Sequence, residues 1–362
     1  MHVFSRREAK TTLIYPVALA LLVLSAGFAS AADAGDEHEH LDSALRDPQK
    51  VVKIEARAEA GIAHDQFLLG HAYDEGVGKP HDSSKAMKWY LRAANRAEPA
   101  AMTELGRMYA RGEAVARDYA RALQWFRRAA SDGYAAAQTD LGLMYFHGWG
   151  MEQDQPDAVR WWQRAAEQGY APAESNLGVA YLNGTGVPRN STQAIEWFHK
   201  AAEAGATTAQ FNLASCYEMG EGVAQDFEAA ARWYRSAAQH GDSRAQNNLG
   251  VLYESGRGVS RDPVEAVRLY LLAAGNGNSK AILNLGRMFQ GGAGVKPDPV
   301  LAYLWLQVAA DRGETVSDAM QAEAANLSPQ QIAAATERAA QWSAQHPSNE
   351  RQVGFSEVGE LR

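Results

Sequence analysis

A leucine recurs every 36 residues through most of this 362-residue chain. Glycine follows it in six of the seven copies, and an aromatic residue stands four positions after it in all seven. The seven leucines are Leu69, Leu105, Leu141, Leu177, Leu213, Leu249 and Leu285. A fixed period of this length is the signature of stacked supersecondary units, each of which contacts mainly its neighbours. The sequence therefore predicts one elongated array instead of two or three globular domains.

Each 36-residue unit is predicted to be a hairpin of two α-helices. In the first helix, Ala173, Leu177 and Tyr181 are spaced by four residues and so share one face. Paired glycines, such as Gly184 and Gly186, then end this helix, because glycine enters positive φ without strain. No segment alternates polar and apolar residues with period two over a useful length, so the predicted fold class is all-α.

The second helix of each unit starts at an Asp or Asn that is predicted to cap it. These caps are Asp82, Asp118, Asp154, Asn190, Asp226, Asp262 and Asp298. Six units carry tryptophan at one register of this helix, with paired alanines four residues later. We expect the second helix to bury this Trp and Ala face and to end at a closing glycine.

The combined pattern is A-x3-L-G-x2-Y-x2-G-x-G-V, then D-x3-A-x2-W, then A-A-x2-G, and Ala173 to Gly205 follows it with Asn190 in place of the Asp. It resembles the SEL-one-like repeat (SLR) family, a longer relative of the tetratricopeptide repeat. The resemblance covers residues 62–313 in seven copies: 62–97, 98–133, 134–169, 170–205, 206–241, 242–277 and 278–313. It implies a right-handed superhelical α/α solenoid whose concave face binds proteins or peptides. Some members carry a disulfide in each repeat, whereas the single Cys216 places this chain with the cysteine-poor ones.

Residues 1–31 are predicted to be a signal peptide. Arg6, Arg7 and Lys10 form a basic start, an uncharged stretch follows, and residues 29–31 supply the small side chains that signal peptidase accepts. The sequence therefore predicts a periplasmic protein without membrane insertion after cleavage. A retained inner-membrane anchor remains an alternative, because the uncharged stretch could just span a bilayer. The export route, general or twin-arginine, also remains open.

The ends of the array are predicted to be caps. Residues 32–46 form an acidic, flexible leader, and 47–61 form an N-terminal capping helix in register with the repeats. In the C-terminal cap, 314–346, residues 314–327 continue a helix and a second helix runs from Ser328 to about residue 345. Its Ile332, Ala335, Ala339 and Trp342 share the face turned toward the last hairpin. Residues 347–362 are predicted to be a disordered tail.

Composition and motifs argue against several functions. The formal net charge is −8, or −10 without residues 1–31, which disfavours nucleic-acid binding. No nucleophile, phosphate-loop or zinc-protease motif occurs, so we predict that the protein is not an enzyme and has no cofactor or metal. His38 and His40 in the acidic leader could chelate a metal weakly, but a solvated leader is the preferred interpretation. Cys216 is predicted to be a small buried residue.

The candidate binding residues lie on the first helices, at positions that the repeat pattern leaves variable. The residue before each leucine, which we call the pre-leucine position, is asparagine in the last four repeats: Asn176, Asn212, Asn248 and Asn284. An amide both donates and accepts, so such a row can grip the backbone of an extended peptide. Related tetratricopeptide arrays use this asparagine in that way, and by resemblance it faces the inside of the superhelix. Contacts between repeats are the alternative role.

Neighbouring positions are predicted to set selectivity. They offer charge from Asp74, Arg107, Glu218, Glu254 and Arg287. Trp149 stands inside a glycine turn, where it is either a contact at the solenoid edge or a residue packed on Trp161 or Trp162.

The favoured function is a periplasmic, monomeric adaptor that binds a protein partner or peptide on its concave face. It would regulate envelope signalling, secretion or polysaccharide assembly. One alternative is a secreted factor that binds a host protein. The other is a cell-wall or β-lactam hydrolase, as suggested for some members of the family, although no nucleophile-and-base set in this sequence supports it.

Overall fold

The computed structural model describes residues 43–347, and within that range the chain is all-α without a strand. Residues 43–45 are helical, and seventeen helices with complete bounds follow in this part of the chain. They are α1 (Pro48–Glu59), α2 (Ala63–Glu75), α3 (Ser83–Ala94), α4 (Pro99–Arg111), α5 (Tyr119–Ser131), α6 (Ala135–His147), α7 (Gln155–Ala166), α8 (Ala171–Asn183), α9 (Ser191–Glu203), α10 (Thr207–Met219), α11 (Phe227–Gln239), α12 (Ser243–Ser255), α13 (Pro263–Gly275), α14 (Ser279–Gly291), α15 (Pro299–Asp311), α16 (Ser317–Ala324) and α17 (Pro329–Gln345).

Helices α2 to α15 form seven hairpins, each made of an even-numbered first helix and an odd-numbered second helix. Each first helix packs most extensively on the second helix of its own hairpin, and next on the second helix before it. This regular pairing confirms the predicted array of helical hairpins. Helix α1 occupies the stretch predicted as the N-terminal capping helix and packs on α2.

The predicted caps and turns are confirmed. All seven predicted Asp or Asn residues accept a hydrogen bond from a backbone N–H in the first turn of a second helix, as Asp82 does from Lys85 at 2.9 Å. The first glycine of each turn is left-handed, as at Gly184, where φ is +72°. The second glycine is needed for close approach as well, because a Cβ on Gly186 would overlap the Gln155 carbonyl of the preceding repeat. Only repeat 2 among these turns has alanine there, Ala114, at φ +58°.

The prediction that the second helix buries its tryptophan row is wrong for most repeats. The fully buried residue is the next one along: Tyr90, Phe126, Trp162, Phe198, Tyr234, Tyr270 and Leu306. Trp89 and its counterparts in repeats 2 to 5 are only half-buried. Several lie under a cation from the same helix, as Trp197 does under Lys200 at 4.2 Å. Successive residues of a helix are about 100° apart, so only one of two adjacent aromatics can face the first helix.

The glycine after the repeat leucine makes room for that buried side chain. A Cβ on Gly70 would lie 2.6 Å from the ring of Tyr90, and Gly106 has the same relation to Phe126. Real Cβ atoms do not approach so closely, so glycine at this position lets the two helices of a hairpin pack against each other.

The C-terminal end differs in part from the prediction. Residues 314–327 do not continue α15, because Gly313 ends that helix at φ +86°, and the separate helix α16 starts at Ser317. The helix predicted from Ser328 is confirmed as α17, with Ser328 and Gln331 forming a capping box.

The face of α17 that was predicted to cover the last hairpin does so. Ala335 and Ala339 are fully buried, and the ring of Trp342 packs edge-on against Trp305 with centroids 5.2 Å apart. This packing buries the apolar surface that a final repeat would otherwise expose.

The predicted signal peptide, acidic leader and C-terminal tail fall mostly outside the described residues. Among the residues that are described, no helix is both long and apolar enough to cross a membrane.

Candidate binding face on the first helices

In repeats 1 to 3 the first helices lie on the inner side of the array. Helix α4 contacts both α2 and α6 directly, whereas no two consecutive second helices of the described chain approach to the same extent. Elements that approach more closely lie on the inside of a curve. For repeats 4 to 7 the inner position of the first helices stays a prediction from the family resemblance. We call the surface formed by the pre-leucine residues and the residues two and five positions after each leucine the inner face. All the predicted binding residues except Trp149 belong to it.

In repeats 2 and 3 the inner face is occupied by a largely buried cluster of ion pairs. Arg107 donates from Nε to Asp140 Oδ2 at 2.7 Å and from Nη1 to Glu104 Oε1 at 2.8 Å. Asp140 is completely buried and Arg107 nearly so. The ion pair joins the first helices of adjacent repeats, and both acids occupy pre-leucine positions. Arg107 was predicted to contribute to selectivity, but its guanidinium group is bonded to two carboxylates of the protein itself.

The asparagine row divides into a buried half and an accessible half. Asn176 and Asn212 are buried, and Asn212 is only 1% exposed. The Nδ2 of Asn212 has no hydrogen-bond partner within the described chain. Asn248 and Asn284 are partly exposed to solvent. A ligand on the inner face could therefore reach the amides of repeats 6 and 7 without displacing the helices.

The two accessible asparagines also make contacts between repeats. Asn248 donates from Nδ2 to the Tyr234 hydroxyl at 3.0 Å and accepts from Asn247 at 3.1 Å. Asn284 donates to Asn247 Oδ1 at 3.0 Å. This relay fits the alternative role that the sequence left open. Contact with a peptide stays a prediction. The Oδ1 of Asn284 accepts a hydrogen bond from no described residue, so it can still accept one from a ligand.

The predicted acids Glu218 and Glu254 bond to buried tyrosines. The hydroxyl of Tyr234 donates to Glu218 Oε2 at 2.8 Å, and that of Tyr270 donates to Glu254 Oε2 at 2.7 Å. Both carboxylates are partly exposed and retain oxygen lone pairs that can accept from a ligand.

Asp74 and Tyr90 form the same pair in repeat 1, at 3.2 Å. Burial raises the pKa of Asp74 to about 6, and the charges of Glu104 and Glu113 add to the rise. In each of the three pairs the acid precedes the tyrosine by 16 residues. Repeats 2 to 4 bury Phe126, Trp162 and Phe198, and carry Ala110, Phe146 and Leu182 at the acid's position. The acid therefore occurs in repeats whose buried aromatic is tyrosine. This joint change could have been read from the sequence, but it was missed.

A row of buried glutamines was also missed. The side chains of Gln66, Gln138, Gln210 and Gln246 each donate to the carbonyl of the alanine eight residues earlier, at 3.0–3.3 Å. These bonds satisfy carbonyls near the end of the preceding second helix. The signal was glutamine three residues before the leucine in four repeats. Repeat 4 has Glu174 there, and burial raises the pKa of its carboxyl group while Lys200 opposes the rise.

The two remaining predicted site residues differ in exposure. Arg287 is exposed on α14 and borders a cavity. Trp149 is half-buried and stacks on His147, with centroids 4.3 Å apart, and on Tyr119 at 5.9 Å. These stacks fix the indole in the turn between α6 and α7.

Chemically reactive groups are few on this surface. Cys216 is fully buried, as predicted, and burial raises its thiol pKa to about 12. Between residues 43 and 347 no three His, Cys, Asp or Glu side chains cluster as metal ligands would.

The repeat pattern, the hairpins and this face define a helical repeat protein. The Sel1 repeat family model matches residues 63–97, 99–134, 135–170, 171–205, 207–242, 243–278 and 279–314. The chain belongs to the Sel1 repeat family.

Solved structures show similar folds. A Sel1 repeat protein from Oxalobacter formigenes is 33% identical, with 81% of this chain and 88% of that chain covered and a TM-score of 0.59. A protective antigen of uropathogenic Escherichia coli strains that displays an SLR fold is 23% identical, covering 86% and 98%, with a TM-score of 0.40. An immunity protein from Pseudomonas aeruginosa is 22% identical, covering 59% and 83%, with a TM-score of 0.42. No curated protein matches the chain.

Proposed function

We propose that this protein is an exported scaffold that binds an extended segment of a protein partner on the inner face of repeats 6 and 7. The proposal rests on a change in solvent exposure along the pre-leucine positions. Asn248 and Asn284 are partly exposed in repeats 6 and 7, whereas Asp140, Asn176 and Asn212 are buried in repeats 3 to 5.

The groups around these amides suit an extended backbone. Asn284 Oδ1 can accept from a peptide N–H, and the second Nδ2 hydrogen of Asn248 can reach a peptide carbonyl. Glu254 lies on the same row of helices and adds a carboxylate already oriented by Tyr270. Main-chain recognition of this kind gives affinity for many sequences, so selectivity must come from side chains around it.

The proposed activity is binding without catalysis. Glu218 and Glu254 are held by tyrosine hydroxyls, and the Cys216 thiol is buried with a pKa near 12, so none of these groups is prepared as a base or nucleophile. We propose that the adaptor acts in envelope signalling, secretion or polysaccharide assembly. The proposed location is the periplasm, which rests on residues 1–31. Cell fractionation and the intact mass of the purified chain test it, and a chain that retains residues 1–31 in the membrane fraction contradicts it.

The binding proposal is tested by changing Asn248 and Asn284 to alanine together. Both are partly exposed, so we expect partner capture from an envelope extract to fall at least tenfold while the helical circular dichroism stays unchanged. The matched control is Gln124→Ala with Arg127→Ala, at exposed positions on the second helix α5, and it should capture normally. Undiminished capture by the asparagine variant would overturn the proposal. Equal loss with both variants would overturn it as well.

A further inference from the structure

A cavity of about 260 Å³ lies at the C-terminal end of the inner face. One wall is α14, which contributes Leu283, Arg287 and Gln290. The opposite wall is formed by residues 315–319, which comprise the end of the linker after α15 and the first turn of α16. On α14 this cavity begins one residue from Asn284, so it continues the surface proposed to hold a peptide backbone.

The cavity exists because the array stops here. In every earlier repeat the next first helix packs beside the preceding hairpin. After repeat 7 the chain leaves α15 at Gly313 and passes through a short non-helical stretch before α16 begins. This stretch and the first turn of α16 do not occupy the full volume that the first helix of a further repeat would fill, so a recess remains between them and α14.

The lining combines an apolar floor with a charged rim. Leu283, Leu306 and Val316 supply the floor, and Val316 and Leu306 are buried. Arg287 and Asp318 stand at the rim. Arg287 is exposed and forms no ion pair with any described carboxylate, unlike Arg107, which is paired twice inside the protein.

The lining limits what can bind. Pockets for drug-sized ligands usually have volumes of roughly 300–1,000 Å³, so this smaller recess suits one or two side chains. A guanidinium group binds a carboxylate through two parallel hydrogen bonds. Asp318 offsets the charge of Arg287, which favours a singly charged carboxylate over a doubly charged phosphate. The carboxylate of Asp318 can accept from an N–H of the bound peptide backbone.

We propose that this cavity is the selectivity pocket of the scaffold and takes a leucine- or phenylalanine-sized side chain of the partner next to an aspartate or glutamate. The apolar side chain lies on Leu283, Leu306 and Val316, and the neighbouring carboxylate pairs with Arg287. This inference rests on the proposed function, because it assumes that a peptide runs along the inner face. It adds the chemical class of the partner residues that bind in the cavity.

The test begins with a phage-displayed library of random dodecapeptides, selected in parallel on the purified protein and on its Arg287→Glu variant. We expect the unmodified protein to enrich peptides with Asp or Glu next to Leu or Phe. The variant should enrich Lys or Arg at the acidic position, because the sign of the charge at the rim is reversed. Since Arg287 is exposed, the substitution should leave the fold intact, which circular dichroism checks.

Fluorescence anisotropy with the best labelled peptide then measures the contribution of each group. Arg287→Ala should weaken binding about tenfold, and Arg287→Lys should weaken it less, because it keeps the charge and loses the two-pronged geometry. Arg338→Ala, an exposed arginine on α17, should stay within twofold of the unmodified protein. A peptide with Gln in place of its acid should lose about tenfold, and Arg287→Ala should then add no further loss.

The outcomes separate the two proposals. Peptides that need Asn248 and Asn284 but show no acidic preference, with Arg287→Ala neutral, overturn the pocket and leave the binding face standing. Peptides that bind independently of both asparagines but follow Arg287 overturn the extended face and retain the pocket. A library from which no peptide is enriched contradicts both.

Discussion

The pre-leucine position carries acids in repeats 2 and 3 and amides in repeats 6 and 7, and these two regions differ in what they leave for a ligand. In repeats 2 and 3 it carries Glu104 and Asp140, which share Arg107 in the interior. In repeats 6 and 7 it carries Asn248 and Asn284, which remain partly exposed. Ions buried in a protein need their partners close, whereas neutral amides tolerate partial exposure and partial pairing. The N-terminal repeats therefore use this position for internal contacts, and the C-terminal repeats leave it accessible.

The largest expected effect tests the buried charges. Asp140→Ala leaves Arg107 buried with Glu104 alone, and loss of one member of a buried ion pair costs about 3–5 kcal/mol. We therefore expect a large drop in the midpoint of thermal and urea unfolding. Replacing both partners, Arg107→Met with Asp140→Leu, should recover part of the loss, because the charge then left without its partner is that of Glu104, which is partly exposed. A single variant as stable as the unmodified protein would mean that this pair does not hold repeats 2 and 3 together.

The corresponding test in the C-terminal half is Tyr234→Phe. This change removes the hydroxyl that donates to Glu218 and accepts from Asn248, and a lost hydrogen bond to a charged group costs about 1.5–3 kcal/mol. The control is Tyr181→Phe in repeat 4, whose partly exposed hydroxyl has no hydrogen bond within the described chain, and it should change stability little. Equal effects of the two variants in urea unfolding would show that the tyrosine–carboxylate pairs do not organise the inner face.

A smaller effect should appear in the pH dependence of the N-terminal end. Because the pKa of Asp74 is raised to about 6 in the folded protein, folding favours its protonated form. Its contribution to stability is present below pH 4 and is lost as pH rises through 6. Asp74→Asn should remove this dependence and, at pH 7, stabilise by on the order of 1 kcal/mol after allowance for solvent screening.

Melting temperatures at pH 4.5 and pH 7 measure this difference. Asp132→Asn, at an exposed position, controls for the change in net charge. A pH profile of the Asp74 variant parallel to that of the unmodified protein would contradict the assignment.

The smallest effect concerns the one alanine among the second turn glycines. Ala114 is left-handed, which costs a non-glycine residue roughly 1 kcal/mol, so Ala114→Gly should raise stability by about 0.5–1 kcal/mol. Ala120→Gly, at an exposed helical position of α5, should instead lower it by up to about 1 kcal/mol. Calorimetric melting of the two variants should move in opposite directions, and a decrease for Ala114→Gly would argue that the strain is absent.

The array could be predicted from the sequence because its determinants are local. Leucine spacing, paired glycines and capping residues each act within one hairpin and recur with the same period, so Asp82 and Asp118 were identified as caps directly. The buried aromatic was assigned one residue too early, because Trp89 and Tyr90 are both aromatic and periodicity alone does not choose between them. The break after Gly313 was missed because the repeat pattern ends there.

The binding residues were harder to place, because their partners lie in other helices. Arg107 looks like a free charge in its own helix, and only the structure brings Asp140, 33 residues later, within 2.7 Å of it. The same holds for Glu218 and Tyr234, although their 16-residue spacing recurs and could have been read. The cavity beside Arg287 depends on the path of the linker from α15 to α16, which no repeat predicts.

The most direct test of the central claim places a photo-crosslinking amino acid at Val251, which is partly exposed on the inner face two positions after Leu249. The comparison site is Arg127, exposed on the second helix α5. After irradiation of cells expressing each variant, we predict a covalent adduct with a partner protein at position 251 and none at 127. Adducts at 127 alone, or equal adducts at both positions, would contradict binding on the inner face of the C-terminal repeats.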